Sequence, residues 1–166
     1  MGEFIQSQCH AAVVTCVDYR LHQRADGGNM VADFLRRRSV TADVITRAGG
    51  VQDLVRPRDG SDESLVRDLD VAVRLHRIRE IHLVNHEDCG AYATFGFPSR
   101  EREAARHASD LRRARRLLLE RFPTVSVHLW YGERTGAGDR FEIRPVPLVE
   151  FGGAEKPGDT PPATIS

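Results

Sequence analysis

Lysine is almost absent from this chain of 166 residues: Lys156 is the only one, so arginine supplies nearly all of the positive charge. The 24 basic and 24 acidic residues cancel to a formal net charge of zero. The chain therefore has no overall field that would attract nucleic acid or anionic lipid. The arginine-rich stretch at 112–116 is flanked by acidic residues, and we interpret it as a solvated helix face that binds no nucleic acid.

Long apolar runs are also missing. No segment approaches the roughly 20 consecutive apolar residues that a membrane-spanning helix needs. The first residues lack the charged start, apolar stretch and small-residue cleavage site of a signal peptide. We therefore expect a cytoplasmic protein without a membrane partner. The hydrophobic content of 40% suits an ordinary globular domain with a sizeable core.

Cysteine is scarce, with three residues at positions 9, 16 and 89. An odd number argues against a framework of disulfides. In a reducing compartment, a metal ligand or a catalytic thiol is the more common role for cysteine. We expect Cys9 to be a buried, inert thiol, because it lies well before the end of the strand that leads to Cys16.

Apolar runs of strand length alternate with amphipathic segments. Strands are predicted at 11–15, 40–46, 81–85 and 124–130, with a possible edge strand at 141–146. Helices are predicted at 30–38, 61–76 and 100–122, whereas 51–60 and 90–98 resemble loops. This alternation predicts a single α/β domain over residues 1–151, with a mostly parallel sheet covered by helices. The glycine- and proline-rich residues 152–166 predict a disordered tail.

Two short clusters carry the chemistry, Cys16-Val17-Asp18-Tyr19-Arg20 and His86-Glu87-Asp88-Cys89-Gly90. Cys16 ends the first predicted strand and His86 follows the third. Because ligands bind beyond the carboxyl ends of strands in such sheets, we expect the two clusters to meet. Cys16, His86 and Cys89 then supply three ligands for one tetrahedral Zn²⁺ per chain and leave a fourth position open.

The residues after Cys16 predict a helper carboxylate. In an extended segment, Asp18 and Arg20 face the same side as Cys16. Arg20 can keep Asp18 ionised through a bidentate pair, and Asp18 can accept a hydrogen bond from a zinc-bound water or hydroxide. If Arg20 released it, Asp18 could take the fourth zinc position itself. Whether water or Asp18 occupies that position at rest stays open.

The remaining polar residues receive plainer interpretations. Gly49, Gly50 and Gly90 are candidate substrate-pocket residues, because glycine allows a close approach of the backbone. Asp88 is interpreted as a helix N-cap. Five histidines are expected to be structural or exposed, namely His10, His22, His82, His107 and His128.

The sequence resembles the β-class carbonic anhydrases, which carry Cys-x-Asp-x-Arg followed by His-x-x-Cys-Gly. Cys16, Asp18, Arg20, His86 and Cys89 match that pattern position for position, and Gly90 completes it. The likeness extends over roughly residues 10–146. It includes a loop similar to the family's Arg-Asn-Ala-Gly, which reads Thr46-Arg47-Ala48-Gly49 in this chain, and Asn85 where the family usually has glycine.

The resemblance implies a zinc enzyme, a carbonate dehydratase, that hydrates carbon dioxide to bicarbonate and a proton by means of a zinc-bound hydroxide. Cys16, His86 and Cys89 would be the ligands, and Asp18 and Arg20 the catalytic dyad. It also implies a homodimer or higher homo-oligomer with active sites close to the subunit interface. Hydrolysis of carbonyl sulfide or carbon disulfide at the same site, or a non-catalytic zinc-binding role, remain the alternatives.

Overall fold

Five strands form one sheet in the order β2-β1-β3-β4-β5. The computed structural model describes residues 8–136 and 138–149. The strands are β1 (Ala11–Cys16), β2 (Ala42–Arg47), β3 (Glu80–His86), β4 (Ser126–Arg134) and β5 (Phe141–Pro145). The first four are parallel, and β5 pairs antiparallel with β4 at one edge. The predicted α/β fold with a mostly parallel sheet and an added edge strand is confirmed.

Helices cover both faces of this sheet. They are α1 (Tyr19–His22), α2 (Met30–Arg37), α3 (Gln52–Val55), α4 (Ser61–Val71) and α5 (Arg100–Arg121). A π-helical turn, Ala72–His76, continues α4, and a 3₁₀ helix spans Gly90–Phe95. None of the helices in the described part of the chain combines the length and the apolar character that crossing a bilayer requires.

The two faces of β1 enter two different cores, because successive side chains of a strand point in opposite directions. Val14 packs with Leu65 of α4 and Leu111 of α5. Val13, on the other face, packs with Phe34 of α2 and Trp130 of β4. All six residues of β1 are buried, which explains its uninterrupted apolar sequence.

The order of the strands creates a crevice between β1 and β3. From β1 the chain crosses to β2 on one side and later to β3 on the other. Thr15 lies opposite Val84 in the parallel register, so the next residues of β1 and β3 leave the sheet side by side. This reversal of direction is where open α/β sheets bind their ligands.

Some predicted boundaries were wrong. The segment 51–60 contains the short helix α3. Within the predicted helix 61–76, α4 ends at Val71 and a π-helical turn follows, while Gly60, with a φ of 78°, is the N-cap before Ser61. The fourth strand continues to Arg134, four residues past its predicted end at 130. The predicted tail at 152–166 and the domain limit at 151 lie outside the described residues and stay predictions.

Candidate metal centre

Cys16, His86 and Cys89 form a compact cluster, called here the carboxyl-end cluster, at the crevice between β1 and β3. One potential ligand atom from each residue lies within 4.8 Å of the other two. The residues are 5%, 0% and 4% exposed, respectively. The structure therefore brings together the three residues that the sequence proposed as zinc ligands.

The spacing of the two sulfur atoms fits a metal ion. Two sulfur ligands at about 2.3 Å from a tetrahedral zinc ion lie about 3.8 Å apart. The Sγ atoms of Cys16 and Cys89 are 3.8 Å apart. A disulfide would need a separation of about 2.05 Å, and neither cysteine is in one.

The imidazole of His86 is held in the tautomer that a metal ligand needs. Its Nδ1 lies 2.8 Å from the carbonyl oxygen of Glu87, which can only accept a hydrogen bond, so Nδ1 carries the proton. The lone pair is thereby on Nε2. This atom is buried and has no hydrogen-bond partner among residues 8–136 and 138–149. A buried, unpartnered nitrogen beside two thiols fits a metal ligand.

The Cys16 sulfur is stabilised as a thiolate. The hydrogen bond from Cys89 is the largest influence that lowers the pKa of Cys16, and His86 acts in the same direction against the opposing effect of burial. The backbone N–H of Gly49 also donates to this sulfur, at 3.4 Å. The anionic form, which is the form that binds metals, is therefore favoured at Cys16.

Asp18 and Arg20 lie at the mouth of the cluster. Arg20 donates from Nε to Oδ1 of Asp18 at 2.9 Å and from Nη2 to Oδ2 at 2.6 Å. This side-chain pairing lowers the pKa of Asp18, so the carboxylate is ionised at neutral pH. Asp18 Oδ2 lies 3.9 Å from Nε2 of His86. The pair is intact, and the carboxylate faces the potential ligand atoms.

The local backbone that produces this pair differs from the expected extended segment. Asp18 is the N-cap of α1, and its side chain accepts a hydrogen bond from the backbone N–H of Arg20. Arg20 therefore folds back onto Asp18 from the first turn of a helix. The expected proximity of the two side chains holds, but the alternation of an extended chain was the wrong reason for it.

Asp88 holds the Arg20 side chain in place by hydrogen bonding, a role that the sequence did not reveal. Its carboxylate accepts hydrogen bonds from Arg20 Nη1 at 3.0 Å and from Arg134 Nη1 at 3.3 Å. Its backbone N–H donates to Glu103, and its φ is 57°. The expected role as a helix N-cap falls instead to Cys89, which precedes the 3₁₀ helix. Nothing in the sequence pairs Asp88 with two arginines so distant along the chain.

Asn85 supports the loop that approaches Cys16. Its Oδ1 accepts a hydrogen bond from the backbone N–H of Val51 at 3.3 Å. A Cβ added to Gly50, whose φ is 58°, would lie only 2.4 Å from that same oxygen. Glycine at position 50 therefore lets the loop close onto Asn85, and this keeps Gly49 beside the Cys16 sulfur.

A buried polar chain continues behind Asn85. Its Nδ2 donates to the hydroxyl of Tyr92 at 3.2 Å and to Nδ1 of His107 at 3.0 Å. Tyr92 in turn donates to Asp110 at 2.8 Å, and Arg56 pairs with the same carboxylate. Because these groups bond to one another within the core, they hold Asn85 in a single orientation.

The three candidate pocket glycines have different surroundings. Gly49 contacts the Cys16 sulfur, and Gly50 contacts Asn85, as described above. Gly90 is exposed, and a Cβ placed on it would meet no heavy atom within 4 Å. Gly49 is therefore the best-placed of the three for a role at the site, and the pocket assignment stays a prediction.

The remaining histidines are distributed between core and surface. His82 and His107 are buried, at 1% and 0% exposure, whereas His10 is exposed. His22 donates from Nε2 to the carbonyl oxygen of Cys16 at 2.7 Å, and His128 stacks on His82 at a ring distance of 5.0 Å. None of these five belongs to the carboxyl-end cluster.

A match to the model of a protein family identifies the family of this chain. The model described as "Putative carbonic anhydrase" matches residues 6–142, which is most of the chain. The chain belongs to this carbonic anhydrase family. The resemblance to β-class carbonic anhydrases that the sequence motifs predicted is thereby confirmed.

Similar sequences include two uncharacterized proteins of Rickettsia conorii and Rickettsia bellii, each 24% identical over 129 residues. The match covers 74% of this chain in both cases, and 66% and 75% of the respective relatives. This chain thus spans slightly less than two thirds of the R. conorii protein.

Similar solved structures include a carbonic anhydrase from Glaciozyma antarctica, with 17% identity, a TM-score of 0.49 and coverage of 83% of this chain and 85% of that one. A β-carbonic anhydrase of Aspergillus fumigatus has 15% identity, a TM-score of 0.48 and coverage of 86% and 77%. The apo form of a carbon disulfide hydrolase has 15% identity, a TM-score of 0.47 and coverage of 92% and 89%.

Proposed function

We propose that this protein is a zinc-dependent carbonate dehydratase that converts carbon dioxide and water to bicarbonate and a proton. The observation that carries the proposal is the buried, unpartnered Nε2 of His86 beside two thiol groups, with an ionised carboxylate 3.9 Å away. Membership of the carbonic anhydrase family supports it.

Cys16, His86 and Cys89 would hold the metal. Zinc binds soft sulfur and imidazole donors well, whereas a harder cation such as magnesium prefers oxygen donors. When bound, zinc supplies Lewis acidity that turns a water molecule into a nucleophile near neutral pH. With two thiolates as ligands, the remaining positive charge is small, so a helper carboxylate has a clear physical use.

Asp18 would orient the reacting hydroxyl. As an ionised carboxylate, Asp18 can only accept hydrogen bonds, so a hydroxyl in the site must direct its hydrogen toward Oδ2. The hydroxyl lone pair then faces away from Asp18, toward the incoming substrate. Arg20 fixes the carboxylate by the bidentate pair, and Asp88 fixes Arg20 in turn. These contacts hold the Asp18 carboxylate, which accepts the hydrogen bond, in one orientation.

The burial of the site favours a very small substrate. The three candidate ligands are at most 5% exposed, and the neighbouring Asp18 and Arg20 side chains are 15% and 12% exposed. A carbonyl group within a peptide or another polymer cannot reach atoms so enclosed without opening the fold. Carbon dioxide is small, linear and uncharged, and therefore suits a site with so little exposed surface.

The decisive experiment is stopped-flow carbon dioxide hydration by protein of measured zinc content, across pH about 7 to 9 where zinc-activated water ionises. Hydration that scales with zinc content, and that is lost in Cys16→Ser but kept in Cys9→Ser, is the expected result. Absence of hydration at every pH in fully zinc-loaded protein would overturn the proposal. Sulfide release from carbonyl sulfide or carbon disulfide in the same samples would then assign the alternative substrate, and inactivity with all three would assign a non-catalytic role.

We further propose a homodimer or higher homo-oligomer. The apolar side chains of Val17, Tyr19 and Val44 are 53%, 59% and 49% exposed, and β2 is at the edge of the sheet. Exposed apolar side chains next to an unpaired strand edge favour association between chains. Light scattering coupled to size-exclusion chromatography tests this: a mass of 18.6 kDa, that of one chain, would contradict it.

A further inference from the structure

A second group of potential ligands lies at the opposite, amino-terminal end of the sheet. Cys9, Asp43 and His76, called here the amino-end cluster, have potential ligand atoms within 4.8 Å of one another. All three are half-buried. Cys9 was expected to be a buried, inert thiol, whereas the structure places it half-buried beside Asp43 and His76.

Three separate elements build the amino-end cluster. Cys9 lies two residues before β1, and Asp43 is the second residue of β2, which pairs with β1. His76 is the last residue of the π-helical turn that continues α4. π-Helical turns are rare and occur frequently at functional sites, since they redirect side chains that a regular α-helix would place elsewhere. Here the turn directs His76 back toward the sheet.

The contacts within the amino-end cluster are compatible with a bound cation. His76 Nδ1 lies 2.6 Å from Asp43 Oδ2, so the imidazole is already oriented by the carboxylate. Because Nδ1–H donates to this carboxylate, Nε2 of His76 and the carboxylate oxygens of Asp43 are the atoms with lone pairs that a cation can use. The Cys9 sulfur lies 3.3 Å from the carbonyl oxygen of Ala11, which turns it back toward the start of the sheet.

We propose that Cys9, Asp43 and His76 form a second metal site, for a borderline divalent cation such as Zn²⁺ or Co²⁺. A sulfur, an imidazole and a carboxylate suit these ions, whereas Mg²⁺ and Ca²⁺ prefer oxygen ligands alone. The half-exposed position leaves room for water as a further ligand. The bound ion joins the start of β1, the edge strand β2 and the end of the α4 segment, far from the carboxyl-end cluster.

The test is a count of bound metal. Protein stripped of metal and kept reduced is titrated with Zn²⁺, and tightly bound zinc per chain is measured by elemental analysis. The wild-type protein is expected to bind two zinc ions. Cys9→Ser and His76→Gln are each expected to bind one, and Cys89→Ser is expected to retain one. His10→Gln, next to Cys9 but outside the amino-end cluster, is the matched control and is expected to bind two.

A spectroscopic measurement identifies the sulfur ligand. In Cys89→Ser protein titrated with Co²⁺, a thiolate-to-cobalt absorption band that disappears when Cys9→Ser is added is expected. A zinc count that neither Cys9→Ser nor His76→Gln lowers relative to the wild-type protein, whether that count is one or two, overturns the proposal. Because His76 lies near the surface, its variant keeps the test valid if Cys9→Ser fails to fold. Catalytic activity does not enter these measurements, so their result is independent of the proposed enzyme function.

Discussion

The two clusters of cysteine and histidine lie at opposite ends of one sheet, and they differ in burial and support. The carboxyl-end cluster is enclosed, with His86 at 0% exposure and its tautomer set by a main-chain carbonyl. In the amino-end cluster, the side chains of His76 and Asp43 are 37% and 36% exposed, and the imidazole is oriented by another side chain. Similar donor atoms therefore lie in an enclosed, preorganised arrangement at one end of the sheet and in a solvent-accessible arrangement at the other.

The largest expected effect is the loss of metal at the carboxyl-end cluster. Cys89→Ser replaces a soft sulfur donor that lies 3.8 Å from its partner sulfur. Loss of an outer-shell partner lowers metal affinity by about 10- to 100-fold, and loss of a ligand is expected to exceed about 100-fold. Competition with a chelator measures this affinity. The matched variant Cys9→Ser leaves the tight site intact, and a similar loss in both variants would contradict the proposed difference between the clusters.

The next effect separates metal binding from turnover. Asp18→Ala removes the proposed hydrogen-bond acceptor without removing a ligand. We expect zinc content to be unchanged and the rate of carbon dioxide hydration to fall by about 10²- to 10⁴-fold, the usual contribution of a positioned proton acceptor. The control is Asp139→Ala, which removes a carboxylate that contacts Tyr19 near the same opening. Unchanged turnover in Asp18→Ala would disprove the role of Asp18.

A smaller effect is expected on the rigid support of the carboxyl-end cluster. Asn85→Ala leaves the buried N–H of Val51 and the ring nitrogen of His107 without their partner. Each buried group left unpaired costs about 1–3 kcal/mol, so the free energy of unfolding should fall by about 2–6 kcal/mol. Urea unfolding at pH 7 measures it. Asn29→Ala, which removes an exposed helix cap, is expected to cost only about 1 kcal/mol. Equal losses would mean that the network adds no stability of its own.

The smallest expected effect is the dependence of the free energy of unfolding on pH. Burial lowers the pKa of His107, with Glu103 acting in the opposite direction, so the folded protein holds this ring neutral. Below about pH 6.5 the unfolded chain takes up a proton that the folded chain does not. Stability should therefore decrease as the pH falls from about 6.5 toward the folded pKa, by at most about 1.4 kcal/mol per pH unit.

Urea unfolding at several pH values checks this dependence. In His107→Gln the decline between about pH 6.5 and 5 should be shallower than in the wild-type protein. The exposed His10 supplies the control, since His10→Gln should follow the wild-type curve. Identical slopes in all three proteins would show that His107 does not contribute to the acid sensitivity.

Much of the fold was predictable because it depends on local patterns. The buried run of β1 and its position before Cys16 indicated a parallel sheet, and the strand ends indicated where the two motifs would meet. Asp18 shows the limit of this reasoning. A capping hydrogen bond to Arg20 turned the chain into α1, and no periodicity reveals a four-residue helix.

The supporting contacts could not be predicted for a different reason. Asp88 pairs with Arg20 and Arg134, which are 68 and 46 residues away along the chain. Asn85 bonds to Val51 and His107 across the core. Such contacts depend on the full packing of the sheet and helices. The unusual Asn85 was visible in the sequence as a departure from the family pattern, but its partners were not.

The contact between His86 and the main-chain oxygen of Glu87 has a consequence for mutational tolerance. A backbone carbonyl is present whatever residue occupies position 87, so no single substitution there deletes it. The Glu87 side chain has a separate structural role, because it accepts hydrogen bonds from Arg100 and from the backbone N–H of Arg134. A substitution at position 87 would therefore remove these side-chain contacts and still leave the acceptor for the Nδ1 proton of His86 in place.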